Sequence, residues 1–317
     1  MADAAAKRRV GLLVGRERSF PDALIAEVNR RDRGVEAAYA EIEATRANVK
    51  LPYDVLLDRI SHDVTCYQPV LKVASLHGTR VINNPFWRIA DDKFFNAALA
   101  EKLGVKVPRT VVLPSKSYGD DVNAQSLTNL RLVDWKRIEQ ELGFPMFLKP
   151  HWGGGWKSVT RVKSFDELFA AYDQSGKLTM MVQQEIKWVQ YVRCLVVGGQ
   201  EVRPALWDPR QTHFQRYAEA PKTMPPLSAE VMERVVADAR KLNLALGYDM
   251  NTVEFAVTEQ GEPYAIDFMN SAPDLDVSSL GQEHFDWVVQ KMADLVIKAA
   301  LDPSSAPAHH WNQLLGA

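Results

Sequence analysis

Apolar residues in the first part of the chain fall into short runs separated by amphipathic stretches of helical length. Residues 9–14, 35–41 and 53–59 read as strands, residues 21–31 and 68–77 carry helical periodicity, and residues 80–82 read as a further strand. Alternation of this kind predicts a small open α/β domain. The turn signal Asn83-Asn84-Pro85 closes it and places a first boundary there, so residues 1–84 form an N-terminal domain.

The pattern then changes to a mixture of longer helices and isolated strands. Helical periodicity over residues 89–103 stops at Gly104, a strand is expected over 106–113, and the polar stretch 115–129 reads as a mobile surface insertion. A helix over 134–142, a strand over 145–149, a glycine-rich loop over 151–157, a strand over 158–162 and a helix over 165–172 follow. Two apolar runs, 178–182 and 192–197, flank a short polar link. Residues 204–224, rich in Arg, His, Trp and Pro, read as irregular. A strong amphipathic helix spans 228–246, opened by a Ser-Ala-Glu-Val cap pattern and stopped at Gly247. Strands at 251–257 and 263–268 hinge at Glu259-Gln260-Gly261, and a last helix runs from 283 to 301 before a poorly ordered tail. The expected lobes are 85–182 and 183–317.

Composition narrows the class. Apolar residues make up 46% and charged residues 25%, the balance of a soluble globular protein. A net charge of −2 argues against general nucleic-acid binding, which needs clustered Lys and Arg. Cys66 and Cys194 each lie in an apolar stretch without a CxxC spacing and are expected to be buried. The N-terminus lacks a signal-peptide pattern and no run of about 18 apolar residues occurs, so no membrane partner and a cytoplasmic location are expected. A homodimer is the default oligomer.

Two places carry chemistry. The strand ending Phe147-Leu148-Lys149-Pro150 leads into His151-Trp152-Gly153-Gly154-Gly155-Trp156-Lys157. Successive glycines let backbone amides approach an anion, and flanking lysines supply positive charge for a polyphosphate. Neither GxxxxGK[ST] nor GxGxxG is present. Near the C-terminus, Val253-Glu254-Phe255 and Ile266-Asp267-Phe268-Met269-Asn270 would lie on adjacent strands of one hairpin. Glu254, Asp267 and Asn270 are a hard oxygen set suited to magnesium shared with substrate phosphates.

In combination these residues resemble the ATP-grasp superfamily. The ordered signals are Asp92-Lys93 before a helix, Phe147-Leu148-Lys149-Pro150 before the glycine-rich loop, Val182-Gln183-Gln184-Glu185-Ile186 before Arg193-Cys194-Leu195, then Val253-Glu254 and Ile266-Asp267 with Asn270-Ser271-Ala272-Pro273. The style is that of glutathione synthetases and of ligases that add glutamate to ribosomal-protein or lysine-carrier termini. The resemblance covers residues 80–276. It implies an α/β chain of α+β lobes with the ATP-grasp fold behind an N-terminal pre-ATP-grasp domain, using ATP and Mg2+.

Carried over residue by residue, the resemblance implies that Lys93 and Lys149 contact the ATP phosphates. Gly153, Gly154, Gly155 and Lys157 would fold over them, and Gln184, Glu185 and Ile186 would receive adenine. Glu254 and Asp267 match the metal carboxylates. Asn270 follows Asp267 by three residues where the pattern has two, so either a β-bulge restores it to the metal or it has another task. Arg193 matches the arginine of an Asp-x-Arg segment, with Tyr191 where the acidic residue stands. Arg59, at the end of a first-domain strand, resembles an arginine that glutathione-synthetase-like enzymes place near substrate, with a surface arginine as the alternative. Arg203, Arg210, His213 and Arg216 crowd residues 204–224 and its border, where a substrate carboxylate could be held or a basic loop simply solvated.

The activity so implied joins a small-molecule carboxylate to an amine, amino acid or peptide, through an acyl-phosphate, releasing ADP and phosphate. A kinase sharing the nucleotide site, or a nucleotide-binding protein without turnover, are the other readings, and the products distinguish all three. The sequence does not identify the base that takes the amine proton; His151 and His213 stand as candidates.

Overall fold

A computed structural model of the chain describes residues 6–86, 92–153 and 157–302. Two compact units share it, each discontinuous in sequence: residues 1–88, 191–254 and 270–317 in one, residues 89–190 and 255–269 in the other.

The first unit opens with β1 (Arg8–Leu13), α1 (Ser19–Arg30), β2 (Val35–Tyr39), β3 (Val55–Asp58), α2 (Tyr67–Leu76) and β4 (Arg80–Ile82). The strands form a parallel sheet in the order β2-β1-β3-β4, with Val10 opposite Val55 and Leu13 opposite Asp58. Leu56, Leu71, Ala74 and Val81 are buried together, the outcome of parallel strands covered by helices. The order in which strands are added to the sheet reverses between β1 and β3, so the loops after their carboxyl ends flank the crevice where open α/β sheets place ligands. Cys66 departs from expectation. It is exposed, because it forms the N-cap of α2 at the end of a turn and no side chain covers it.

The second unit holds α3 (Lys93–Lys102), β5 (Thr110–Val112), α4 (Trp135–Leu142), β6 (Met146–Pro150), β7 (Thr160–Val162), α5 (Phe165–Asp173) and β8 (Met180–Gln184). Its antiparallel sheet has the order β5-β8-β6-β7. Asp134 and Ser164 cap α4 and α5, and Ile138, Leu142, Leu148, Leu168 and Val182 form the core between helices and sheet. β5 is shorter than the strand expected over 106–113, since Pro108 lacks a ladder donor. The stretch expected to be a mobile insertion holds a 3-10 turn, Ala124–Leu127, closed by a capping box from Asn123.

The chain re-enters the first unit in β9 (Gln190–Val197), buried along its whole length, which pairs antiparallel with β10 (Glu201–Leu206). Residues 204–224 are therefore not irregular throughout: they contain the end of β10 and then α6 (Arg216–Thr223). Pro204 stands opposite Cys194, and the absence of its N–H is tolerated because β10 is an edge strand in the order β10-β9-β11. Helix α7 (Ala229–Leu246) starts where the Ser228 side chain accepts from Val231 N and stops at Gly247 in the left-handed region. β11 (Met250–Val257) follows, passing into the second unit after Glu254.

There β12 (Pro263–Asp267) returns through a turn in which Thr258 N donates to Glu262 O and Gly261, at φ 73°, donates to Thr258 O. The short α8 (Val277–Leu280) and α9 (Gln282–Leu301) complete the first unit, α9 packing beside α1. Among the described residues no helix is long and apolar enough to cross a membrane.

Candidate functional site

In the second unit the two lysines singled out in the sequence meet. Asp92 caps α3 by accepting from Phe94 N (2.9 Å) and Phe95 N (3.0 Å), which sets Lys93 at the first helical position. Lys93 N donates to His151 O (2.9 Å), tying the helix start to the beginning of the glycine-rich loop. Lys93 Nζ donates to Gly153 O at 2.7 Å and lies 4.0 Å from Asp267 Oδ1. Lys149 projects from β6, which pairs with β8, and Lys93, Lys149, Gln183 and Asp267 line one small cleft. Lys93 and Lys149 thus share one cleft, while the first-turn amides of α3 are already taken by Asp92 and by His151 O.

Gly153 has φ 93°, a conformation only glycine adopts without strain. Gly154 and Gly155 lie outside the described residues. Lys157 is exposed. At the end of β8, Gln184 N donates to Arg109 O (2.9 Å) and Gln184 Oε1 accepts from Arg109 Nε (3.2 Å). Glu185 is clamped by Arg161 through two bonds of 2.6 and 2.8 Å, and Ile186 follows it out of the strand.

In the first unit Glu254 is held by two side chains. Tyr191 Oη donates to Glu254 Oε2 (3.1 Å), and Arg193 Nε lies 3.6 Å from Glu254 Oε1. Arg193 is only 5% exposed and donates to Tyr217 Oη (3.3 Å) and Thr252 Oγ1 (3.2 Å), with its guanidinium 5.4 Å from the Trp207 ring centre. Burial pushes the Tyr217 hydroxyl up, opposed by Arg193, so it stays neutral and able to accept. Tyr191, which replaces an acidic residue of the pattern, is thus engaged with Glu254. The backbone N of Asn270 donates to Asn251 Oδ1 at 2.7 Å.

Arg59 is 7% exposed, which removes the surface alternative. It grips Glu17 with two bonds, 2.7 and 2.6 Å, donates to Pro273 O (2.7 Å) and lies 5.1 Å from the Phe20 ring centre. Glu17 and Arg59 follow β1 and β3, at the ends where the sheet's crevice opens. Sequence reasoning missed Glu17; a charged run, Arg16-Glu17-Arg18, is a weak signal without knowledge of the strand order. Asp276 caps α8 and accepts from Ser19 Oγ (2.8 Å), and Asp274 faces His213.

The basic residues of the segment after β9 are mostly committed. Arg203 pairs with Glu283 and donates to His284 Nδ1 (2.8 Å), and Arg210 clamps Asp208. Arg216 lies 4.9 Å from the Trp207 ring centre and donates to Gln211 O. Among the described residues no group of three or more His, Cys, Asp or Glu side chains could hold a metal by itself.

No protein-family model matches the sequence. A D-alanine--D-alanine ligase from Laribacter hongkongensis is 29% identical over 159 residues, covering 46% of this chain and 50% of that protein. Pyruvate carboxylase from Aspergillus niger is 24% identical over 228 residues, 62% of this chain and 19% of that protein. The chain thus spans half or less of the length of these relatives. Among solved structures, D-alanine--D-alanine ligase from Bacillus anthracis complexed with ATP is similar at a TM-score of 0.61 and 18% identity, covering 93% of this chain and 97% of that one. A RimK domain protein ATP-grasp from Sphaerobacter thermophilus is similar at a TM-score of 0.60 and 22% identity, covering 91% and 99%.

Proposed function

From the ATP-grasp fold that this chain shares with those structures, we propose that it is an ATP- and magnesium-dependent carboxylate–amine ligase acting through an acyl-phosphate. The observation that carries the reading is the cleft of the second unit, where Lys93 and Lys149 converge beside Asp267. The relatives named as D-alanine--D-alanine ligases support amino acids as substrates.

Lys93 and Lys149 bind the ATP phosphates in this reading, with Gly153, Gly154, Gly155 and Lys157 closing over them. Gln184, Glu185 and Ile186 offer main-chain groups to adenine; the Glu185 carboxylate is already taken by Arg161, which leaves its backbone for that task. Magnesium would be held by Glu254, Asp267 and Asn270, hard oxygen donors too few for an all-protein cage and therefore suited to a metal shared with phosphates. When bound, it neutralises charge on those phosphates. Arg193 stands beside Glu254 as its cationic partner, and Arg59 fixes Glu17 and the segment after Pro273 at the substrate end of the sheet.

The substrate carboxylate oxygen attacks the γ-phosphorus, ADP leaves, and the amine nitrogen then displaces phosphate from the acyl carbon. Lysine ammoniums lower the repulsion between the two anions in the first step, and a closed loop excludes water from the second. A screen of amino acids and dipeptides in pairs, with ATP and magnesium, tests the reading. ADP release with a new amide mass is expected; ADP with a phosphorylated acceptor instead would overturn it.

A further inference from the structure

Four arginines lie on β9, β10 and the segment that runs from them into the start of α6, and three of them meet a carboxylate. Arg193 lies 3.6 Å from Glu254, Arg203 pairs with Glu283, and Arg210 clamps Asp208. The fourth, Arg216, meets none among the described residues. Its Nε–H donates to Gln211 O (3.3 Å), and the two terminal NH2 groups of its fork have no acceptor among those residues. The side chain is nevertheless only partly exposed.

This uncommitted guanidinium is held in place. It lies 4.9 Å from the ring centre of Trp207, which is 3% exposed, and Asp208 N donates to Arg216 O (2.9 Å). Trp207 is itself anchored, because its N donates to Tyr191 O (2.9 Å) and the two rings lie 5.6 Å apart. The Arg193 guanidinium is 5.4 Å from the same indole, so two cations share one ring. Glu254 balances the first, and no described carboxylate pairs with the second. Stacking on an indole face holds a guanidinium without using the N–H donors in its plane. A solvated arginine keeps its rotamer freedom, whereas this one has given that up to an anchored ring and an Nε bond. A fixed planar fork with open donors and unbalanced charge is the geometry that takes a carboxylate through two parallel bonds.

We propose that Arg216 is a carboxylate-binding site of the first unit, and that its ligand is the free carboxylate of an amino-acid substrate. This rests on the ligase reading above. When one amino acid is joined to another, the carboxylate of the amine-bearing partner is not consumed and stays anionic. The phosphates have their own cations in that reading, Lys93 and Lys149 of the second unit. Tyr191, Trp207, Gln211 and Arg216 all belong to the first unit, so the carboxylate is held without nucleotide. A site built to hydrogen-bond one group rejects the analogue that lacks it, and Arg216 thereby selects amino acids over amines without a carboxylate.

Calorimetry without nucleotide tests this by comparing each member of a panel of amino acids, D-alanine included, with its carboxamide, which keeps the amine and side chain and removes the charge. In wild type the carboxamide of the tightest-binding amino acid is expected to bind about 10- to 100-fold more weakly, and in Arg216→Gln the two should come within about threefold of each other. Arg216→Lys keeps the charge and the stem but loses the fork, so its preference should fall between the two. The Nε–H NMR signal of Arg216, identified by its loss in Arg216→Lys, should move on adding the amino acid and stay on adding the carboxamide. An Arg216→Gln protein that loses affinity for amino acid and carboxamide alike, or a wild type that binds no member of the panel, would overturn the proposal. So would weaker binding of inorganic phosphate or ATP in Arg216→Gln with amino-acid binding unchanged, which would make Arg216 a phosphate ligand. The ligase reading fails by a different result, a wild type that forms no amide from any pair with ATP and magnesium although it binds amino acids through Arg216.

Discussion

Lys93 and Arg59 carry different predictions at the scale of single residues, the first for the proposed chemistry and the second for the fold. Lys93 has its ammonium 2.7 Å from Gly153 O and 4.0 Å from Asp267, so removing the carboxylate's charge should leave the fold intact and damage the site. Asp267→Asn is expected to lower ATP turnover by about 10²-fold or more while a melt without nucleotide moves little, since the side chain is 45% exposed. Arg59 is the opposite case, buried against Glu17. Arg59→Met should cost about 3 kcal/mol by leaving that carboxylate without its partner, and adding Glu17→Gln should restore part of it. Denaturant midpoints check this; a loss below about 1 kcal/mol in the single variant would contradict the pairing. The lysines were legible in the sequence because each is tied to a local signal, a capped helix start or a strand before glycines. Glu17 and the His213–Asp274 pair were not, because their partners arrive from 42 and 61 positions away and strand order alone brings them together.

Elements were legible where local chemistry agreed with packing. The α7 helix has its serine cap, its amphipathic face and its left-handed glycine where the periodicity placed them. β10 and α6 were lost in a stretch full of Pro, Arg and Trp, since an edge strand with Pro204 and a helix containing Pro221 both violate single-sequence rules that their neighbours override. The join between β10 and α9 carries a pH prediction. Burial, then the Arg203 guanidinium, holds His284 below the usual histidine range, and His284 Nδ1 accepts from Arg203. The unfolded chain therefore takes up the proton first as pH falls. The stability is present above the unfolded value near 6.5 and is lost as pH drops through the lower folded value. Melting temperature should fall between about pH 7 and pH 5, and His284→Gln should flatten that fall. A variant with the wild-type slope would contradict it.

For the whole molecule, ATP with magnesium should raise the melting temperature, because a ligand of the folded state alone adds about 2.7 kcal/mol at a hundredfold excess over Kd. GTP should add less if the main chain after β8 reads adenine, and equal shifts would count against Gln184, Glu185 and Ile186. The measurement that bears most directly on the ligase account follows an oxygen atom. With a carboxylate substrate labelled with 18O, attack on the γ-phosphorus and later displacement by the amine must carry one labelled oxygen into the released phosphate. The account predicts one 18O per phosphate formed, in step with amide and dependent on magnesium. Phosphate released without label would contradict it.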